Sequence, residues 1–264
     1  MSGQPGWEAQ RLRFLVITAG LICLIPTARA QTADEIVAKS LAARGGVEKL
    51  KAVRGLRFTG SVSFGPGAEG PFVLELERPL KMHMEFTIQG QTLVRVYNGK
   101  GKGWVIYPFG ENKDVQDMAA EDLRNISDES DFDGPLVDYA AKGNRIELQG
   151  KEDVDGSSAY RLKLTRQNGD VRSYLIDTAT FLPVKWEDVR TADGKEYVVE
   201  NHLRDYRDVS GLKFPFEMEA ESAESERSQR ISLTKVEINP RLDESRFSKP
   251  PSPGQGQDAK PKQP

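Results

Sequence analysis

The chain has 264 residues, 37 Lys and Arg against 40 Asp and Glu, and a formal charge of −3. A mildly acidic balance without a Lys/Arg-dense run lacks the cationic stripe that phosphate-backbone binding needs, which argues against a nucleic-acid partner. Cys23 is the single cysteine and falls inside an apolar leader, so the remainder of the chain is expected to have no disulfide, thiolate metal site or cysteine nucleophile.

In the leader, Arg11 and Arg13 precede an apolar run over residues 14–25, and Ala28-Arg29-Ala30 offers the small-x-small pattern of a signal-peptidase site. About twelve apolar residues fall short of the ~20 that span a bilayer. Ile22 stands before Cys23, where a lipid-attachment site needs a small residue. The expected organisation is a signal peptide over residues 1–30 with cleavage before Gln31, a domain over 31–248, and a disordered Pro/Gln/Lys-rich tail over 249–264.

Thr32-Ala33-Asp34-Glu35 has the form of a capping box, and Ile36, Val37, Ser40 and Leu41 then share a helical face that ends at Gly45-Gly46. Val47, Leu50 and Val53 mark a second short helix that stops near Gly55. From Leu56 the period becomes two. Leu56, Phe58, Gly60, Val62 and Phe64 alternate with polar residues, Gly65-Pro66-Gly67 supplies a turn, and Phe72, Leu74 and Leu76 lead to Pro79. Met82, Met84, Phe86 and Ile88 alternate with Lys81, His83, Glu85 and Thr87, the side expected to face solvent. Strands over residues 93–97 and 104–107 flank the hairpin signal Asn98-Gly99.

Residues 114–143 break this rhythm. Met118, Leu123 and Ile126, then Leu136, Val137 and Tyr139, suggest helical spacing within an acidic insertion between two halves of a sheet. Strands resume over 145–149, 160–164, 171–176, 182–189, 197–206, 214–220 and 231–238. About a dozen strands in meander order, each with one apolar face, point to a strongly curved antiparallel sheet or barrel.

Catalytic and metal motifs do not emerge. His83 and His202 have no third ligand at a recognisable spacing. Aligning Gly134 with the glycine of a calcium loop puts Glu129, Asp131 and Asp133 at ligand positions, but the bidentate glutamate position falls on Ala140. There is no G-x-S-x-G, H-E-x-x-H or Gly-rich phosphate loop. The chain reads as a non-enzyme without cofactor or metal. The stronger signal is the apolar faces: Phe58, Phe64, Phe72, Leu74, Met82, Met84, Phe86, Trp104, Ile106, Tyr160, Leu162, Trp186, Phe214 and Phe216 are expected to converge inside the curved sheet. Met and Phe make adaptable surfaces for acyl chains, though alternation alone leaves a cavity and a filled core equally open.

Four segments carry a family resemblance: E-I-V-x-K-x-L-x-A-x-G-G from Glu35, V-Y-N-G-x-G-x-G-W from Val96, Y-L-I-D-T-x-T-x-L-P-V-K from Tyr174 and D-Y-R-D-V-x-G-L-x-F-P from Asp205. In order and spacing they resemble the outer-membrane lipoprotein-sorting proteins, the LolA-like superfamily. The resemblance implies an incompletely closed antiparallel β-barrel of about 11–12 strands, capped by helices, whose apolar cavity shields lipoprotein acyl chains or other lipids in the periplasm. It further implies a monomeric carrier or chaperone that meets transport components of the inner and outer membranes. In such carriers an arginine helps hold the helical lid; Arg44, Arg54 and Arg57 lie nearby, and none is assigned that role. An envelope sensor or protein-interaction module on the same fold is the alternative, with an unrecognised hydrolase behind it.

Overall fold

Helix α1 (Ala33–Ala43) begins at the expected capping box, with Thr32 Oγ1 accepting from the Glu35 amide at 3.2 Å and Glu35 Oε2 accepting from the Thr32 amide at 3.0 Å. The computed structural model describes residues 31–192, 195–222 and 225–252, so the expected leader over 1–30 and most of the expected tail lie outside the described residues. Helix α1 buries Ile36, Val37, Ser40 and Leu41. Gly45 and Gly46, at φ 118° and 93°, turn the chain into α2 (Val47–Ala52). Among the described residues no helix is long and apolar enough to cross a membrane.

A 13-stranded antiparallel sheet follows. Its first half comprises β1 (Gly55–Ser63), β2 (Glu69–Glu77), β3 (Lys81–Ile88), β4 (Gln91–Asn98), β5 (Gly103–Ile106) and the two-residue β6 (Gln116–Asp117). Helix α3 (Ala120–Ser130) intervenes. The second half comprises β7 (Arg145–Val154), β8 (Ser157–Thr165), β9 (Val171–Asp177), β10 (Pro183–Ala192), β11 (Lys195–Val209), β12 (Leu212–Ser222) and β13 (Ser225–Ile238).

The spatial order is β6-β5-β4-β3-β2-β1-β13-β12-β11-β10-β9-β8-β7. Each half is a meander, and they join through the first and last strands, with Leu56 opposite Ile238 and Phe58 opposite Val236. The register shifts at Thr59/Gly60, where a Cβ on Gly60 would collide with the Ser232 carbonyl oxygen. The barrel therefore stays open between β6 and β7, and the insertion connects those two edges. Only part of the insertion is helical. The second stretch, expected to be a helix around Leu136, Val137 and Tyr139, is a run of turns instead, with Gly134, Asp138 and Gly143 at φ 77°, 51° and 74°. Leu136 and Val137 are nevertheless buried, so their spacing reported burial without reporting a helix.

Cross-strand registers place Phe58, Leu74 and Met84 in one row and Gly60, Phe72 and Phe86 in the next. Tyr160 stands opposite Ile176, Leu162 opposite Tyr174, and Tyr174 opposite Trp186. With α1, Leu50 of α2 and Ile126 of α3, these faces form one apolar core. Trp104 and Ile106 do not join it. They pair with Val96 and Val94, which stand opposite His83 and Glu85, so both side chains lie on the other, convex face. A period of two separates the faces of a strand but does not say which face is interior.

Nor does the whole convex face over β2–β4 look to solvent. After β13 the chain returns across it, and a 3₁₀ turn (Glu244–Phe247) packs against β3 and β4 with Phe247 buried. Glu75, 2% exposed, accepts from Arg57 Nε at 2.7 Å and Arg246 Nε at 2.5 Å. His83 donates from Nδ1 to the Arg246 carbonyl oxygen at 2.8 Å, and its Nε2 lies 3.3 Å from Glu85 Oε2. A carboxylate this deep is tolerated because it is paired on both oxygens.

Hydrogen bonding from His83, with the Arg246 guanidinium beside it, holds the Glu85 carboxyl down at about 2 from 4.5. A depressed native value stabilises the fold above the unfolded value and loses that contribution as pH falls through the native one. Stability contributed by Glu85 is therefore complete above pH 4.5 and disappears on acidification to about 2. Chemical denaturation across that window should show a smaller loss in Glu85→Gln than in the native chain; equal slopes would mean that this contact does not couple protonation to folding.

Candidate functional site

Because the two edge strands do not meet, the concave face is finished by helices. Helix α1 packs against β7, and α3 packs against β3 and β4. The point where sheet, helix and insertion are tied together is Arg78, just after β2. Its Nε donates to the Val53 carbonyl at 2.6 Å and its Nη2 to the Leu50 carbonyl at 3.2 Å, an oxygen at the end of α2 that also accepts from the Val53 amide at 3.2 Å. Both terminal nitrogens then reach the Asp133 carboxylate, each at 2.7 Å, and the guanidinium stacks over Phe132 at 4.6 Å. The Asp133 hydrogen bond raises the Arg78 pKa above its ordinary value.

Sequence reasoning weighed Arg44, Arg54 and Arg57 for such a role and missed Arg78. Its position before Pro79 reads as a strand end, and its carboxylate partner is 55 residues away. Weaker ties supplement it. Lys51 meets Asp138 at 2.6 Å, Tyr139 donates to Asp34 at 2.5 Å, Lys142 meets Asp131 at 2.5 Å, and Arg166 pairs with Asp128. The Lys51–Asp138 pair is nearly half exposed on both sides and contributes little. The acidic run considered as a calcium loop is thus committed to ion pairs: Asp128, Glu129, Asp131 and Asp133 each face a cation. Among the described residues no cluster of His, Cys, Asp and Glu is placed to hold a metal.

Phe72, Met82, Phe86, Tyr160, Leu162 and Phe214 are buried in the core, and Phe58, Phe64, Leu74, Met84 and Trp186 are partly buried against it. Aromatic contacts knit the centre, Phe58 meeting Phe214 edge-on at 5.9 Å and Phe64 lying 5.4 Å from Phe86. With the helices in place much of this face is buried. Space remains at its margins. A mainly apolar cavity of about 610 Å³ lies between α1 and residues 136–141, lined by Val37, Leu41, Val47, Leu136 and Tyr139. A second, of about 580 Å³, lies beneath α3 against β9–β12. Of the residues named from sequence, Trp186 alone borders either one.

The second cavity is polar. On its sheet side Arg172 makes a bidentate pair with Asp188, Nε to Oδ1 at 2.7 Å and Nη2 to Oδ2 at 2.9 Å, while lying 5.3 Å over the Trp186 ring. Burial would lower the Arg172 pKa, but the neighbouring Tyr174 and Asp188 outweigh it and raise the value. Tyr206 donates to the Pro183 carbonyl at 2.8 Å, and its burial pushes the phenol up. On the helix side burial raises Asp128 despite Arg166 beside it.

A family model described as "-like: Uncharacterized protein" matches residues 90–250. No curated protein matches the chain. Among solved structures, a DUF1329 family protein from Desulfovibrio piger is 12% identical, with TM-score 0.55, over 83% of this chain and 98% of the other. A putative outer membrane lipoprotein-sorting protein domain from Vibrio parahaemolyticus is 12% identical, TM-score 0.55, over 82% and 96%. A LolA superfamily protein from Nitrosomonas europaea is 15% identical, TM-score 0.51, over 83% and 99%. At such identities the similarity speaks to fold, and the fold is the LolA-like incomplete barrel.

The Arg78 hub makes a direct expectation. Removing its guanidinium strands the partly buried Asp133 carboxylate and the Val53 carbonyl, at a cost of about 1–3 kcal/mol. In Arg78→Ala, amide hydrogen exchange should accelerate in α2 and over residues 131–143 while β8–β13 keep their protection. A uniform acceleration would show that the residue supports the whole fold rather than the cover.

Proposed function

We propose that this chain, which belongs to the uncharacterized family whose model spans residues 90–250, is a periplasmic carrier for lipoproteins or other acylated ligands. The observation that carries this reading is the division of labour in the barrel: a broad apolar face closed by helices and held by side-chain hooks, with Arg78 at the centre, instead of by strand pairing. On this reading residues 1–30 direct export and are removed.

Opening exposes Phe58, Leu74, Met84 and their neighbours, and an acyl chain takes the place of the cover's side chains. Each methylene buried is worth ~0.8 kcal/mol, so about four offset the 1–3 kcal/mol invested in the latch. A longer chain leaves a surplus for binding. No catalytic group is assigned. The burial of much of the concave face favours one other reading, an envelope sensor or interaction module that uses the same fold without admitting lipid.

Titration with a fluorescent fatty acid, followed by displacement with a triacylated lipopeptide, decides between them. The carrier reading expects saturable binding, faster uptake in Arg78→Ala, and loss of binding in Leu74→Glu, where a charge would enter the apolar face between Phe58 and Met84. Thr92→Glu, on the exposed convex side, should bind as the native chain does. If neither the native chain nor Arg78→Ala takes up the probe, the carrier reading fails and the interaction module stands.

A further inference from the structure

The cavity beneath α3 is built unlike an acyl pocket. On β9 and β10 two cross-strand rows run side by side at its wall, Tyr174 opposite Trp186 and Arg172 opposite Asp188. Tyr197 and Tyr206 of β11 add further aromatic surface, and α3 supplies Arg124 and Asn125 from the other side. The Arg172 and Asp188 side chains are 18% and 14% exposed, so the pair gives up much of its hydration. An apolar pair would join the strands as well without that penalty, so a fork of charge held at a cavity wall points to a ligand.

Charge decides the kind of ligand. Arg166 is matched by Asp128, Arg172 by Asp188, Glu129 by Arg95 and Asp131 by Lys142. The lining as a whole thus carries four guanidinium groups and six carboxylates, two of which, Glu129 and Asp131, are paired with cations that lie outside it. A phosphate or carboxylate only accepts hydrogen bonds and would meet more carboxylates than guanidinium groups. A hydroxyl both donates and accepts, and it satisfies either kind of neighbour. Aromatic side chains beside planar hydrogen-bonding forks suit the alternating C–H and O–H faces of a pyranose ring. The volume, about 580 Å³, lies within the usual range of small-molecule sites and accommodates one or two rings.

We infer that this cavity binds a neutral sugar of one or two pyranose rings, with Arg172, Asp188 and Arg124 hydrogen-bonding its hydroxyls and Trp186 and Tyr197 against its faces. The inference does not rest on the carrier reading: sugar binding without acyl binding would leave it standing.

Isothermal titration of the full chain with maltose, cellobiose, trehalose and N,N′-diacetylchitobiose, with inorganic phosphate and palmitate in parallel, provides the test. At least one sugar should bind saturably at one site per chain. Arg124→Ala, a change on the exposed surface of α3, should weaken that binding about tenfold, the equivalent of one hydrogen bond to a charged group. Tyr197→Ala should weaken it as well, and Thr92→Glu on the opposite face should leave it unchanged. No saturable heat from any of the four sugars, tighter binding of phosphate than of every sugar, or sugar binding untouched by both Arg124→Ala and Tyr197→Ala would each overturn the proposal.

Discussion

The pairing of β1 with β13 governs everything else in this molecule. By joining the first strand to the last, it puts the start and finish of the sheet at its middle and leaves β6 and β7, adjacent in sequence, as distant edges. Edge strands with an apolar face between them cannot be left bare without inviting aggregation. The segment that connects them, with α3 and the buried Leu136 and Val137, is therefore the natural cover, and α1 and α2 complete it from the other end of the chain.

Sheet and cover are held by different forces. Strand pairing supplies a continuous ladder through the sheet, whereas the cover combines apolar burial with a small number of polar ties. Among these the Arg78 hub is distinctive because one planar group serves two helix-end carbonyls and a partly buried carboxylate at once. Loss of the guanidinium leaves the Asp133 carboxylate short of both its hydrogen bonds, which is costly for a group this far buried.

The two faces of the sheet divide the chemistry. The concave face is apolar over β1–β4 and becomes aromatic and ionic over β9–β11, so one continuous surface changes from hydrocarbon-like to hydrogen-bonding character. The convex face over β2–β4 carries a buried ionic network of Arg57, Glu75, His83, Glu85 and Arg246, sealed by Phe247. This return strap fixes the C-terminal end of the domain to the first half of the sheet, which reinforces the same β1–β13 closure from outside.

Much of this was legible from residues alone. Period-two alternation located the strands, Thr32 and Glu35 located the first helix, and loss of rhythm over residues 114–143 located the cover, because strand pleat and helix capping are local geometry. What the sequence could not determine was which side of a strand is inside: Trp104 and Ile106 alternate as cleanly as Met82 and Met84, yet register puts them on the opposite face. Nor could it show that the polar side of β3 would be roofed, since that depends on a segment more than 150 residues later, His83 meeting Arg246 across 163 positions. Arg78 was hidden for the same reason, its carboxylate partner Asp133 lying 55 positions on. Local pattern records the preference of each residue for burial or water, whereas a site is made by which distant residues meet, and only the tertiary structure decides that.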